Sequence, residues 1–280
     1  MISVAMTTYN GEKYIKEQIY SILNQTHPVD EIIICDDCSS DNTEIIINRI
    51  QSENSTKTQI TFIKNESNLG YIKNFYKAIS LTKGDIIFLS DQDDIWCETK
   101  VETMIKVMND SKVKVLCSNF DIIDQDGNIS DTGYVLPNFI KNAESGLNDI
   151  KMDMLIYGNI AQGCTYCFSS DVKNLYLQTK CFDIIHDYQI MMIGAILEGA
   201  FFLNEKLIKY RIHLSNSVGF SKKKNLNHIG IVPKRLKPKV VSFFDSLKKY
   251  TKIPHLMKYK IILYLRIPVA RAISRYFFTR

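Results

Sequence analysis

Two hydrophobic periods alternate along the first 120 residues. Ile2–Met6 is an apolar run of strand length, after which Tyr14, Ile15, Ile19, Ile22 and Leu23 recur at helical spacing. Glu31–Cys35 reads as a second strand. Asp41 followed by Glu44 predicts a capping box at the start of a helix carrying Ile45, Ile46 and Ile50. Gln59–Ile63 is a third strand, Tyr71–Leu81 a third helix and Asp85–Ser90 a fourth strand; Trp96 to Met108 reads as helix and Val113–Ser118 as strand. This alternation predicts an α/β fold with a parallel sheet covered by helices on both faces. Ligands of such sheets sit beyond the carboxyl ends of the strands. That rule selects Thr7–Asn10, Asp36–Ser39 and Asp91–Asp94, which are too polar for a core.

Beyond residue 120 the pattern loosens. Asp124 to Asn128 reads as a hairpin turn; it shares letters with a calcium loop, but Val135 stands where the closing Glu belongs. Gly163–Ser169 reads as strand, Asp171–Thr179 and Asp187–Leu197 as helices, and Phe201–Leu203 and Leu207–Tyr210 as two further strands. From Ser221 onward the chain is Lys-rich and is interrupted by Pro233, Pro238, Pro254 and Pro268.

Composition adds a charge split to this picture. The 280 residues carry a net charge of +5, yet 221–280 holds sixteen Lys and Arg against one acid, Asp245, so the preceding body is acidic. A hydrophobic fraction of 45% excludes a disordered chain. The first apolar stretch is too short for a leader, and no run reaches the ~18 apolar residues of a membrane span. Seven cysteines, several inside apolar runs, read as reduced thiols in a cytosolic protein. The Cys35/Cys38 and Cys164/Cys167 pairs match zinc spacing only weakly.

The run Asp91-Gln92-Asp93-Asp94 emerges from a buried strand. Three carboxylates this close repel one another unless a cation shares them, and alternation aims Asp91 and Asp93 the same way. Two readings follow: a hard divalent ion such as Mg²⁺ bound with phosphate oxygens, or an acidic N-terminus for the next helix.

Four segments in order resemble glycosyltransferase family 2: Met6 to Glu12, Ile22 to Thr26, Ile34 to Thr43 and Leu89 to Trp96. The Asp-Gln-Asp-Asp-Ile-Trp form resembles the rhamnosyltransferase-like subset that builds bacterial surface polysaccharides. Ile185 to Tyr188, Lys209 to His213, Asn216 to Gly219 and Gly163 to Thr165 resemble later segments of that subset, with Tyr188 where the family usually has Trp.

The resemblance implies a GT-A fold, in which a Rossmann-like, mostly parallel sheet is flanked by helices, and an inverting, metal-dependent sugar transfer. It implies a catalytic domain over 1–220, divided into a nucleotide-sugar half (1–120) and an acceptor half (121–220). In that scheme Tyr9 stacks on a pyrimidine base and Asp37 accepts its ring N–H, while Thr7 and Asn68 line the pocket. Lys73 and Arg211 serve the donor phosphates. Asp91 and Asp93, with His213, hold Mg²⁺ or Mn²⁺, and Asp187 is the general base. Each residue also has a plainer reading: Tyr9 as a packed aromatic, Asp187 as a helix cap, His213 as a structural partner.

The implied donor is dTDP-rhamnose or, as the alternative, a UDP-hexose such as UDP-galactose or UDP-glucose. The implied acceptor is a lipid-linked glycan. Residues 221–280 interleave cations with Phe243, Phe244, Leu247, Leu256, Ile261, Ile262, Leu263, Leu265, Phe277 and Phe278. That predicts an amphipathic tail on an anionic membrane surface, the inner face of a bacterial plasma membrane, and no nucleic-acid partner. The rival classes are a non-catalytic nucleotide-sugar-binding domain, which would have lost one of Asp91, Asp93 or Asp187, and a nucleotidyltransferase. The latter would carry a Gly-rich basic loop after the first strand, where this chain has one Gly and no cation in Thr7–Glu12.

Overall fold

A computed structural model describes residues 1–130, 140, 142–155, 158–213 and 237–264. The Rossmann-like half runs β1 (Ile2–Thr8), α1 (Ile15–Leu23), β2 (Glu31–Asp36), α2 (Thr43–Glu53), β3 (Gln59–Lys64), α3 (Tyr71–Leu81) and β4 (Ile86–Ser90). Then come β5 (Ile95–Trp96), α4 (Lys100–Met108), β6 (Val115–Ile123), β7 (Leu147–Asp149), α5 (Met152–Leu155), β8 (Tyr166–Ser169) and α6 (Ser170–Thr179). The described chain closes with α7 (His186–Ile196), β9 (Ala200–Arg211), α8 (Lys237–Leu247) and α9 (Leu256–Tyr264).

One sheet of order β3-β2-β1-β4-β8-β6-β9-β5 runs through the molecule, with β7 pairing on β9. The β3-β2-β1-β4 part is parallel, as alternation predicts, and all of β1 and β2 is buried because helices cover both faces. Beyond β4 the sheet is mixed: β8 enters antiparallel between β4 and β6, and β6 pairs parallel with β9. α7 is buried on every side, which explains its apolar character all round.

Several local expectations are corrected. Asp41 makes no capping box: its carboxylate accepts from the Thr43 N–H (3.0 Å) and hydroxyl and from the Glu12 N–H (3.0 Å), while Glu44 pairs with Lys64 at 2.7 Å. Trp96 is strand instead of helix, because Ile95 and Trp96 pair with Lys209 and Ile208 of β9. The two short strands after residue 200 are one, β9, whose register on β6 shifts around Asn119 where the polar stretch Asn204–Lys206 passes. Gly163–Thr165 is a 3₁₀ turn feeding β8.

The basic segment also departs from a purely surface-lying tail where it is described. Val240, Phe243, Phe244 and Leu247 of α8 are buried in the main core, and α8 packs on α6. Leu265, Phe277 and Phe278 lie outside the described residues.

Candidate active site

The strand order reverses between β1 and β4, and sheets of this kind take their ligands at such a switch point, beyond the carboxyl ends of the strands. Gln92, between the two aspartates, ties the ends of β4 and β1 together. The Tyr9 N–H donates to Gln92 Oε1 at 2.8 Å, and Gln92 Nε2 donates to the Tyr9 carbonyl at 3.0 Å. Tyr9 is thereby fixed by its backbone while its ring is half exposed, which excludes the packed-aromatic reading. Asn10 (φ 48°) turns the chain and ties it to the next strand end, its N–H on Ser39 Oγ (2.8 Å) and its Oδ1 on the Ser40 N–H (2.9 Å). Thr7 is buried at the end of β1.

Asp37 is buried and accepts from Asn65 Nδ2 (2.9 Å) and from the N–H groups of Leu69 (2.7 Å) and Gly70 (2.9 Å). Asn68 Nδ2 donates to its carbonyl at 3.1 Å. Asp37 therefore folds the loop that leads into α3, and a carboxylate with about four acceptor positions keeps one for a further N–H. Gly70 is required by its backbone, at φ 78°, not by space. Lys73 is exposed on α3, with its ammonium 5.9 Å from the Phe182 ring centroid.

At the end of β4, ligand atoms of Asp91, Asp94 and Cys164 lie within 4.8 Å of one another. Asp94 accepts the Arg211 N–H at 3.0 Å through Oδ1, while its buried Oδ2 has no hydrogen-bond partner. Asp93 Oδ2 faces His213 Nε2 at 2.8 Å. Burial, then the charges of Asp94, Asp93 and Asp187, push Asp91 well above the usual carboxylate range; burial, then Asp93, does the same to Asp94. The crowded carboxylates of Asp91 and Asp94, with the Cys164 sulfur and the orphaned Asp94 oxygen, form a donor set that would suit a divalent cation, while Asp93 is paired with His213. Of the three residues that the sequence nominated, the structure pairs Asp93 with His213 and sets Asp91 in a different cluster. It adds Asp94 and Cys164, which carried no signal beyond their neighbours.

Asp187 lies in the first turn of α7, where its carboxylate accepts the Tyr188 N–H at 2.6 Å, and the donors of the Asn159 side chain and the Gly163 backbone also favour its charged form. It is not the cap, a position held by Ile185. Burial raises its pKa to about 7 in spite of those donors. His186 beside it is kept neutral, pushed down to about 3 by burial and stacked 3.9 Å from Phe75. Tyr188 is a core residue whose hydroxyl donates to the Leu155 carbonyl.

Arg211 differs from expectation. Its guanidinium is 2% exposed and donates to Glu17 Oε2 (2.6 Å) and to the carbonyls of Asp93 (2.7 Å), Asp124 and Gln125 (both 3.3 Å). It also lies 4.6 Å over Tyr14. It is a strut behind the acidic run, already committed to protein, and not a donor aimed at a diphosphate. Sequence reading also missed Glu17, Gln92, Asn65 and Asn159, whose partners are set only by the fold. Asn216 to Gly219 lies outside the described residues.

The Glycosyl transferase family 2 profile matches residues 3–170, more than half of the chain. This chain belongs to that family. Among its relatives, the glucosyltransferase WfaP of Escherichia coli is 31% identical over 81% of this chain and 82% of its own. It is named UDP-Glc:alpha-D-GlcNAc-diphosphoundecaprenol beta-1,3-glucosyltransferase. The dTDP-rhamnosyl transferase RfbG of Shigella flexneri is 29% identical over 81% of this chain and 78% of its own. The fold is that of S. aureus TarS 1-349 in complex with UDP-GlcNAc, at TM-score 0.67 and 16% identity over 100% of this chain and 76% of that one. Mannosyltransferase PcManGT from Pyrobaculum calidifontis, in complex with GDP-Man and Mn2+, matches at TM-score 0.58 and 16% identity over 98% of this chain and 73% of its own. The protein is a family 2 glycosyltransferase with a GT-A type fold.

Proposed function

We propose that this glycosyltransferase moves a sugar, with inversion, from a pyrimidine nucleoside diphosphate to a hydroxyl of a lipid-linked glycan during bacterial surface-polysaccharide synthesis. The observation that carries the reading is Asp187: a buried carboxylate with a pKa near 7 that feels the charge of Asp91. A base matched to neutral pH takes the acceptor proton most effectively, and one displacement with one base needs no protein nucleophile. Tyr9 offers its exposed ring to the base, and Asp37 keeps one acceptor position for the ring N–H. In this reading Thr7 and Asn68 help line that pocket, and Lys73 supplies positive charge toward the donor phosphates. A divalent ion at Asp91, Asp93 and His213 would neutralise charge on the departing diphosphate. The first donor is dTDP-rhamnose, supported by the likeness to RfbG; UDP-glucose is the second reading, supported by WfaP.

The catalytic unit is proposed as 1–220 with 221–280 serving an anionic membrane. Among the described residues no helix is long and apolar enough to cross a bilayer. Support comes from a groove of about 730 Å³ lined by Lys248, Tyr250, Lys252, Met257 and Lys260, with Met257 70% exposed. Incubating the enzyme with Mn²⁺ and a panel of nucleotide sugars, and reading release of nucleoside diphosphate, tests the donor. Turnover of dTDP-rhamnose above UDP-hexoses supports the first reading, the reverse order selects the second, and release from none of the panel overturns both.

A further inference from the structure

Lys100, the first residue of α4, is fully buried, and the function proposed above gives it no task. Its Nζ donates to the Cys164 carbonyl at 2.7 Å and stands 4.1 Å from the Trp96 ring centroid. The ionisable groups that face it are Asp94, Asp91 and the thiols of Cys164, Cys167 and Cys97. An ammonium withdrawn from water survives only where partners replace its hydration. If the position needed only packing, a methionine would fill it without that requirement.

The other end of the same turn touches Asp187. Cys164 is the middle residue of Gly163–Thr165, and Gly163 packs against Asp187, a Cβ there falling 3.5 Å from Asp187 Oδ2, so that its N–H favours the charged carboxylate. Residue 163 is tightly enclosed, since a Cβ there would lie 3.2 Å from both Asp187 Cβ and His186 Nε2. The turn is closed on itself by the Thr165 N–H and hydroxyl, which donate to the Gln162 carbonyl at 3.0 and 2.7 Å. A push or pull on Cys164 is therefore passed to Gly163.

We infer that Lys100 is a positioning residue for sugar transfer: by gripping the Cys164 carbonyl it holds the Gly163 N–H against Asp187, fixing the base relative to the acidic end of β4. The inference rests on Asp187 being the base. The remaining groups that face Asp187 are Asp91, Tyr71, Tyr166 and Tyr176 through charge, neutral His186 in contact, and Asn159 and the Tyr188 N–H as donors. Loss of the Gly163 N–H removes a donor that favours the carboxylate, so the proton is held more tightly.

The experiment measures kcat from about pH 5.5 to 9.5 for the full chain carrying Lys100→Met or Lys100→Gln, with calorimetry of nucleoside diphosphate binding, and with Asp187→Asn as control. The expected result is an acidic limb displaced about one unit upward in Lys100→Met. A one-unit displacement makes the loss about tenfold larger at pH 6 than at pH 9. Lys100→Gln, which keeps a donor, moves the limb less, and nucleotide affinity stays within about twofold in both. A loss equal at every pH is a merely structural effect and overturns the inference. So does an unmoved limb when Asp187→Asn abolishes it. If Asp187→Asn keeps both rate and limb, the base assignment itself fails. Should Lys100→Met not fold, the limb of Lys100→Gln decides by the same criterion.

Discussion

Gly11 clears the space that the Gln92 amide occupies: a Cβ at residue 11 would collide with it. That amide makes both bonds to the Tyr9 backbone, so the spacer between the two aspartates also sets the position of the ring proposed to stack on the base. Gln92→Ala deletes two hydrogen bonds of about 1 kcal/mol each, which lowers nucleoside diphosphate affinity ~5–30-fold. Calorimetry with UDP and dTDP reads the loss, and unchanged affinity for both separates Gln92 from the pocket.

Asp187→Asn keeps shape and an acceptor for the Tyr188 N–H but cannot take a proton. Turnover should fall ~10²–10⁴-fold with nucleotide affinity retained. Normal turnover in that variant would place the base elsewhere.

Asp187, Asp91 and Asp94 all hold protons more tightly folded than unfolded, because they are buried and crowded. Between about pH 4 and 7 the folded state thus binds the extra protons, and stability falls as pH rises, by up to ~1.4 kcal/mol per unit for each group. Above about pH 8, where burial has depressed Lys100, the sign reverses for that residue. Metal-free Tm should therefore drop from pH 5 to pH 7.5, Mn²⁺ should restore more at pH 7.5, and Asp94→Asn should flatten the slope. A metal-free Tm that climbs across this interval contradicts the crowding account.

Tyr9→Ala and Asp37→Ala should separate. The half-exposed ring contributes ~1–3 kcal/mol of stacking and little to folding, so only affinity suffers. Asp37→Ala strands the donors of Asn65, Leu69 and Gly70, so thermal stability drops along with affinity. Equal melting curves for the two variants would show that the loop does not depend on Asp37.

Phe244→Ala should destabilise by about 3–5 kcal/mol, since the ring is wholly buried in the shared core. A chain ending at residue 236 should melt lower than the full protein for the same reason. Vesicle flotation checks what remains for lipid: binding should survive Phe244→Ala and weaken when Lys248 and Lys252 become Glu.

The parallel strands and α3 were legible because each buries one regular period of Ile, Val, Phe and Leu, and polar residues at strand ends marked the switch point. Asp91, Asp93 and His213 could be nominated because their types and order match a family. Arg211 could not be read correctly: Glu17, which holds its guanidinium, lies 194 positions away in sequence. Phe243 and Phe244 carry the same composition in a surface helix as in a packed one, so only contact with α6 distinguishes the two.

Because β8 is hydrogen-bonded to β4 on one side and β6 on the other, the backbone carrying the acidic run and the turn beneath Asp187 belong to a single rigid plate. Among the described residues that plate shows no seam about which the proposed donor and acceptor halves could swing as separate bodies. Discrimination between sugars must then reside in side chains and loops mounted on a preassembled frame. Exchanging specificity within this scaffold is accordingly a problem of local grafting, with no hinge to retune.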